Sequence, residues 1–239
     1  MSVVFITGGG RRLGRAIALQ FAEKGFDVGI LYLTSEDQTR STINEIRAMG
    51  KHASSVRVDV ADEVALSMAF DALVGDLGAP EVVISNAGVF PDADPRATTD
   101  DVRRAVDVNT LPLITLARCI ERHGTNGLTR LVALSSLGGV EIWKDRLAYN
   151  VSKSALNTAV RSLARSMAPS VLVNAVAPGA IEQPEERTTS DGHMAGPDRI
   201  PMQRYGTAAD VFEAVWFFST TTYVTGQILH VDGGYGLVR

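Results

Sequence analysis

The chain is nearly without cysteine: Cys119 stands alone among 239 residues. No disulfide framework can form within it, and a reducing compartment is the simpler expectation. No apolar run approaches the roughly 18 residues of a membrane span. The first residues have no basic stretch, and "VVFI" is too short for the apolar part of a signal peptide. No block of like charge breaks a net charge of −4, so a nucleic-acid partner is not expected. The four histidines, His52, His123, His193 and His230, lack metal-site spacing, and no metal is expected. A soluble, cytoplasmic chain is expected. At 45% hydrophobic residues, it is long enough for one domain over residues 1–239.

What is present is an alternation. Val3–Ile6, Asp27–Leu33, Ala53–Val58, Glu81–Ser85, Thr129–Leu134, Val171–Val176 and Gln227–Val231 read as strands buried on both faces. Between them apolar residues recur at helical spacing. Leu13, Ile17, Phe21 and Ala22 mark one such face, Val64, Met68, Leu73 and Leu77 another, and Leu156, Val160, Leu163 and Met167 a third. Strand and helix in turn predict an α/β fold: a Rossmann-type, doubly wound parallel sheet of about seven strands. The one long irregular stretch, Gly179–Arg204, predicts a substrate loop or lid within 180–204.

The first strand runs into "TGGGRRLG", and a helix is predicted from about Arg12. Amides at a helix N-terminus favour an anion, and glycines admit a phosphate closely. Two phosphate motifs fail here. A P-loop needs Lys-Ser/Thr after the second glycine, where Arg15-Ala16 stands, and the G-x-G-x-x-G fingerprint needs glycine at Leu13. A nucleotide hydrolase is thereby disfavoured, and a purely structural turn remains the alternative.

A second constellation lies in "LSSLGGVEIWKDRLAYNVSKSAL", Leu134–Leu156. Tyr149 and Lys153 share one helix face, and Ser136 follows a predicted strand. So do Gly8–Gly14, Ser85–Gly88 and Ala177–Gly179, which places all four turns at the carboxyl edge of the sheet, where such folds bind ligands. A lone Tyr-x3-Lys on an exposed helix is usually inert; the convergence is what carries weight.

With these pieces in place, the chain resembles the short-chain dehydrogenase/reductase family over nearly its whole length. The matching pieces are "TGGGRRLG", Asp59–Val60, Asn86–Gly88, Val108–Asn109, Ser136, Tyr149–Lys153, Val173–Gly179 and Val224–Gly234. The resemblance implies a catalytic tetrad of Asn109, Ser136, Tyr149 and Lys153. It also implies a cofactor site of Gly8, Arg11, Arg12, Leu13, Gly14, Tyr32, Asp59, Val60, Asn86, Ala87, Gly88, Tyr149, Lys153, Pro178, Gly179 and Ile181. Family members are commonly homotetramers that pack helices such as those near 100–123 and 147–168, so a homo-oligomer is expected.

Carbonyl reduction needs a hydride on carbon and a proton on oxygen, and nicotinamide chemistry supplies the first. A phenol titrates at about 10, and the Lys153 ammonium is expected to lower Tyr149 toward neutrality. Ser136 would polarise the substrate oxygen. By resemblance Asn109 would position a water; alternatively it pins a helix backbone. Tyr32 stands where NAD-selective folds carry an acid, and Arg11 and Arg12 flank the turn, so NADPH (NADP+) is expected over NADH. The substrate wall is read as Phe90, Trp143 and Met194. Arg12 and "APGAI…PEE" are similar to the pteridine reductase branch, yet Ser136 stands where that branch carries aspartate. The activity is read as NADPH-dependent reduction of a ketone or 3-oxoacyl group. A pteridine reductase, or an NADP sensor without catalysis, are the alternatives.

Overall fold

Alternate residues of a strand face opposite sides of a sheet, and here both sides are covered. Val3 and Phe5 enter one core with residues of the helices over 63–77, 111–123 and 147–167. Val4 and Ile6 enter a second core, with the helices over 12–23, 36–48 and 208–220. The structure, a computed structural model, describes residues 2–92, 94–123, 127–182 and 196–238. Its strands are β1 (Val3–Thr7), β2 (Asp27–Tyr32), β3 (Ala53–Arg57), β4 (Val82–Ser85), β5 (Thr129–Leu134), β6 (Val171–Pro178) and β7 (Ile228–Val231). The helices are α1 (Arg12–Glu23), α2 (Glu36–Ala48), α3 (Glu63–Leu77), α4 (Thr99–Asn109), α5 (Leu111–His123), α6 (Leu147–Met167) and α7 (Ala208–Thr220).

The seven strands run in the order β3-β2-β1-β4-β5-β6-β7, and all pairings are parallel. This is the expected doubly wound Rossmann-type sheet. The chain moves outward from β1 to β3 and then returns to β4 beside β1. That reversal opens a crevice at the carboxyl edge, where a ligand binds in such sheets. On one face Phe5 meets Phe70 edge-on at 5.1 Å. On the other, Phe21 meets Phe212 at 5.3 Å. Fully burying each such ring contributes about 1.5–3 kcal/mol.

Two sequence readings need correction. In α3 the face marked by Val64 and Met68 is wrong: these residues are 69% and 67% exposed. Leu66, Ala69, Phe70 and Leu73 are the buried ones. That helix is apolar on most sides, so several phases fit its spacing, and packing against α5 selects one. The 100–123 stretch, in turn, is two helices. Pro112 lies in the first turn of α5, where its missing N–H breaks no helical bond. α4 ends just before, at Asn109. Cys119 is buried on α5, and burial pushes its thiol up, which suits a core residue and not a nucleophile.

Within the expected 180–204 loop, Ile181 bridges Gly206, and Pro197–Arg199 forms a single 3-10 turn. Met194 lies outside the described residues. Among the described residues, no helix is long and apolar enough to cross a membrane.

Candidate active site

Because every strand runs the same way, the ends of six strands arrive on one edge. Gly8 follows β1, Tyr32 ends β2, Asp59 follows β3, Asn86 follows β4, Ser136 follows β5 and Pro178 ends β6. The turn after β1 is held by its neighbours. The Thr7 hydroxyl accepts the amides of both Asn86 and Ala87, each at 2.9 Å. Asn86 returns the tie, donating Nδ2 to the Thr7 carbonyl at 2.9 Å. Gly8 sits at φ 67°, in the left-handed region that favours glycine. A Cβ at Gly14 would stand 2.2 Å from the Gly8 carbonyl oxygen, so the helix can only start this close to the strand with glycine there.

Arg12, the first residue of α1, adopts φ 49°. A non-glycine residue in this region costs about 1–2 kcal/mol. The sequence places an arginine at this position; it does not disclose that the backbone there takes a conformation glycine favours. A further cation, unanticipated by the sequence reading, is Arg57. Its Nε donates to the Leu33 carbonyl at 3.0 Å, which holds the guanidinium over the end of β2. Leu13 packs against the α1-side core. The Asp59 carboxylate accepts the Ala61 amide at 3.0 Å, shaping the turn after β3, and Val60 is buried in the opposite core. Gly179 lies against Asp232, 2.8 Å from where its Cβ would be, and donates its amide to Val231 at 2.9 Å.

The catalytic candidates gather on the other side of the crevice. Asn109 is a clamp: Oδ1 accepts the Val89 amide at 2.8 Å, and Nδ2 donates to the Val89 carbonyl at 3.0 Å. The same Nδ2 reaches the Ser152 hydroxyl at 2.9 Å. The side chain therefore ties the segment after β4 to α4 and α6; the backbone it holds is that of Val89, outside any helix. Ser152 escaped the sequence reading because it is 43 positions from its partner. Ser136 caps the short 3-10 turn Leu137–Gly139, its hydroxyl accepting the Gly138 amide at 3.2 Å. Next to it, the Ser135 hydroxyl donates to Asn157 at 2.6 Å, fixing that turn on α6.

Tyr149 lies in an aromatic corner. Trp143 stacks on it at 5.9 Å and 20°, and Phe90 meets it edge-on at 4.6 Å and 90°. Phe90 and Trp143, expected as substrate wall, thus lie against the Tyr149 ring itself. The expected lowering of the phenol by Lys153 is not what the protein alone displays. Burial pushes Tyr149 up, and it is the Ser136 hydroxyl and the Arg146 guanidinium that pull the other way. The Lys153 amine is 5.9 Å from the centre of the tyrosine ring and donates to the Leu134 carbonyl at 2.8 Å. Burial lowers this amine from 10.5 to about 8, since a charge is costly away from water.

A seven-stranded parallel sheet with a glycine turn after β1, and with Ser136, Tyr149 and Lys153 near the end of β5, places the chain in the Rossmann class. Residues 10–236 match the family model described as Enoyl-(Acyl carrier protein) reductase. Versicolorin reductase stcU of Emericella nidulans is 30% identical, covering 97% of this chain and 94% of that protein. The 3-oxoacyl-[acyl-carrier-protein] reductase FabG of Staphylococcus aureus is 30% identical, covering 96% of both. A short chain dehydrogenase from Burkholderia cenocepacia, solved in complex with NADP, superposes with a TM-score of 0.90 at 30% identity, covering 98% of both chains. The chain belongs to the short-chain dehydrogenase/reductase family.

Proposed function

We propose that this oxidoreductase reduces the carbonyl group of a small molecule with NADPH, Tyr149 delivering the proton. The observation that carries this reading is the meeting of Ser136, Tyr149 and Lys153 at the end of β5, with the phenol under the influence of the Ser136 hydroxyl. The site fits a nicotinamide nucleotide on its own geometry. The Gly8–Gly14 turn leaves bare backbone at a helix N-terminus, and Arg11 and Arg12 stand beside it. When bound, that cofactor supplies the hydride.

The chain's own groups do the rest. The Ser136 hydroxyl donates to the substrate oxygen and stabilises the negative charge that grows there. Tyr149 gives up its proton to the same oxygen, and general acid catalysis of this kind is worth roughly 10²–10⁴ in rate. Lys153, charged below about pH 8, favours the phenolate left behind and would hold the nicotinamide ribose. Asn109 keeps the Val89–Phe90 wall in place. For the preference for NADPH over NADH, the strained backbone at Arg12 is the support. A conformational cost is tolerated there in return for a guanidinium beside the phosphate turn. Arg57 adds a second positive group at the end of β2.

The test is a panel of a 1,2-diketone, a 3-oxoacyl thioester, a quinone and a dihydropterin, followed by loss of NADPH absorbance. At least one compound is turned over by the wild type. Tyr149→Phe binds NADPH but turns over at least about a hundredfold more slowly. Wild-type rates in that variant would remove the phenol from the mechanism, and binding without turnover of any compound would favour a sensor. Phe90 and Trp143 beside Tyr149 give one second reading, a flat pterin ring, which the dihydropterin arm decides. We also infer a homotetramer packed through α4, α5 and α6, where Leu111, Leu147 and Val151 are exposed; light scattering reads its mass.

A further inference from the structure

Arg146 sits where a cation is least welcome. It is the residue just before α6, at the positive end of the helix dipole, and it is only 4% exposed. Burying a charge is costly unless it is well partnered. Two of its contacts bear on the site. Nη1 donates to the Pro91 carbonyl, and the guanidinium lies over the Phe90 ring, 4.2 Å from its centre. The edge-on contact of that ring with Tyr149 is the one that closes the aromatic corner. Guanidinium and phenol therefore share a single aromatic ring between them.

The surrounding charges sharpen the point. A cavity of about 190 Å³ is lined by Arg146 and Tyr149 together with Asp92 and Asp94 from the β4–α4 connection, Asp101 from α4, and Asp145 ahead of α6. Four carboxylates thus share the cavity that Arg146 and Tyr149 line. The Lys153 amine lies 5.9 Å from the centre of the Tyr149 ring, and its charge fades above about pH 8. A guanidinium stays charged beyond about pH 12.

We propose that Arg146 is a positioning residue for the reaction. Its buried guanidinium favours the ionised phenol at Tyr149 while fixing the Phe90 ring against it. This rests on the reading of Tyr149 as proton donor. The direction of the Arg146 influence on the phenol agrees with it.

The test uses the whole protein and two readouts. Tyrosinate absorbance is measured in each protein and in its Tyr149→Phe counterpart, so that the difference reports one ring out of five tyrosines. At an alkaline pH where circular dichroism shows the fold intact, Arg146→Gln carries about tenfold less Tyr149 phenolate than the wild type. Arg146→Lys restores most of it. With the best ketone of the panel, the basic limb of the kcat profile moves up by about one pH unit in Arg146→Gln while the KM for NADPH is unchanged. Equal phenolate in wild type and a folded Arg146→Gln overturns the proposal. Should Arg146→Gln not fold, Phe90→Leu, which removes the seat of the guanidinium, shows the same loss in smaller measure; no loss there overturns it equally. Wild-type turnover in Tyr149→Phe would instead defeat the proton-donor reading, while the absorbance readout still reports on Arg146.

Discussion

The turn after β1 and the corner after β5 lie on the same edge of the same sheet, yet they are built on opposite principles. In the first, backbone does the shaping. Gly8 and Gly14 bring strand and helix together, and the Thr7 hydroxyl binds two amides of the neighbouring segment. Its one visible cost is conformational, at Arg12. In the second, side chains do the work, and the cost is solvation. A lysine is held below its usual value and a phenol above it, with a buried arginine close by. Shape is stored at one turn and charge at the other. Changes at the first should therefore alter affinity and stability with little response to pH, and changes at the second should alter rate and pH dependence.

Gly14→Ala tests the first half most severely. Its new Cβ meets the Gly8 carbonyl, and we expect a loss of about 3 kcal/mol in thermal unfolding together with weakened NADPH binding. A full-stability variant would mean that the turn yields, and the contrast would fail. Lys153→Met addresses the other half. The native amine titrates near 8 and a free lysine near 10.5. Between these values the unfolded chain holds a proton that the native chain has released, so stability rises with pH through this window. Lys153→Met loses that rise. Urea titrations should find it about 2 kcal/mol more stable than the wild type below pH 8, with the two converging above the window, while turnover collapses. Parallel curves would show that the buried charge is not the issue.

Asn109→Ala removes three hydrogen bonds around Val89 and Ser152. A loss of about 1–2 kcal/mol is expected in denaturant, and Asn109→Asp, which keeps the acceptor for the Val89 amide, should recover part of it. The smallest effect is at Arg12. Arg12→Gly relieves the left-handed strain and should raise stability by about 1 kcal/mol. In the same variant NADPH affinity falls about tenfold relative to NADH as the cation is lost. Opposite signs in one variant would confirm that strain there serves the ligand; equal preference before and after would remove Arg12 from cofactor choice.

The sheet was legible because β1, β2, β4, β5 and β6 are short runs rich in Val, Ile and Leu bounded by glycine and polar turns; the edge strands β3, Ala-Ser-Ser-Val-Arg, and β7 are partly exposed and not buried on both faces as the sequence reading had them. The helix face of α3 was not, because Val64, Met68, Leu66 and Leu73 make it apolar all round and only contact with α5 decides the phase. At the candidate site, the identities of Ser136, Tyr149 and Lys153 could be read, but their environment could not. Phe90 follows β4, Trp143 precedes α6 and Tyr149 lies on it, and no local pattern signals that the three rings close on one another. Nor does composition disclose that the Lys153 amine donates to the Leu134 carbonyl, or that an arginine three residues before the tyrosine is buried.

The double acceptance by Thr7 carries one more consequence. Asn86 and Ala87 lie past the end of β4, where exchange with solvent deuterium is ordinarily quick. Both of their amide hydrogens are held by that one oxygen. A seam of slow exchange should thus extend beyond the ladder and join the two halves of the crevice, so that they open together or not at all.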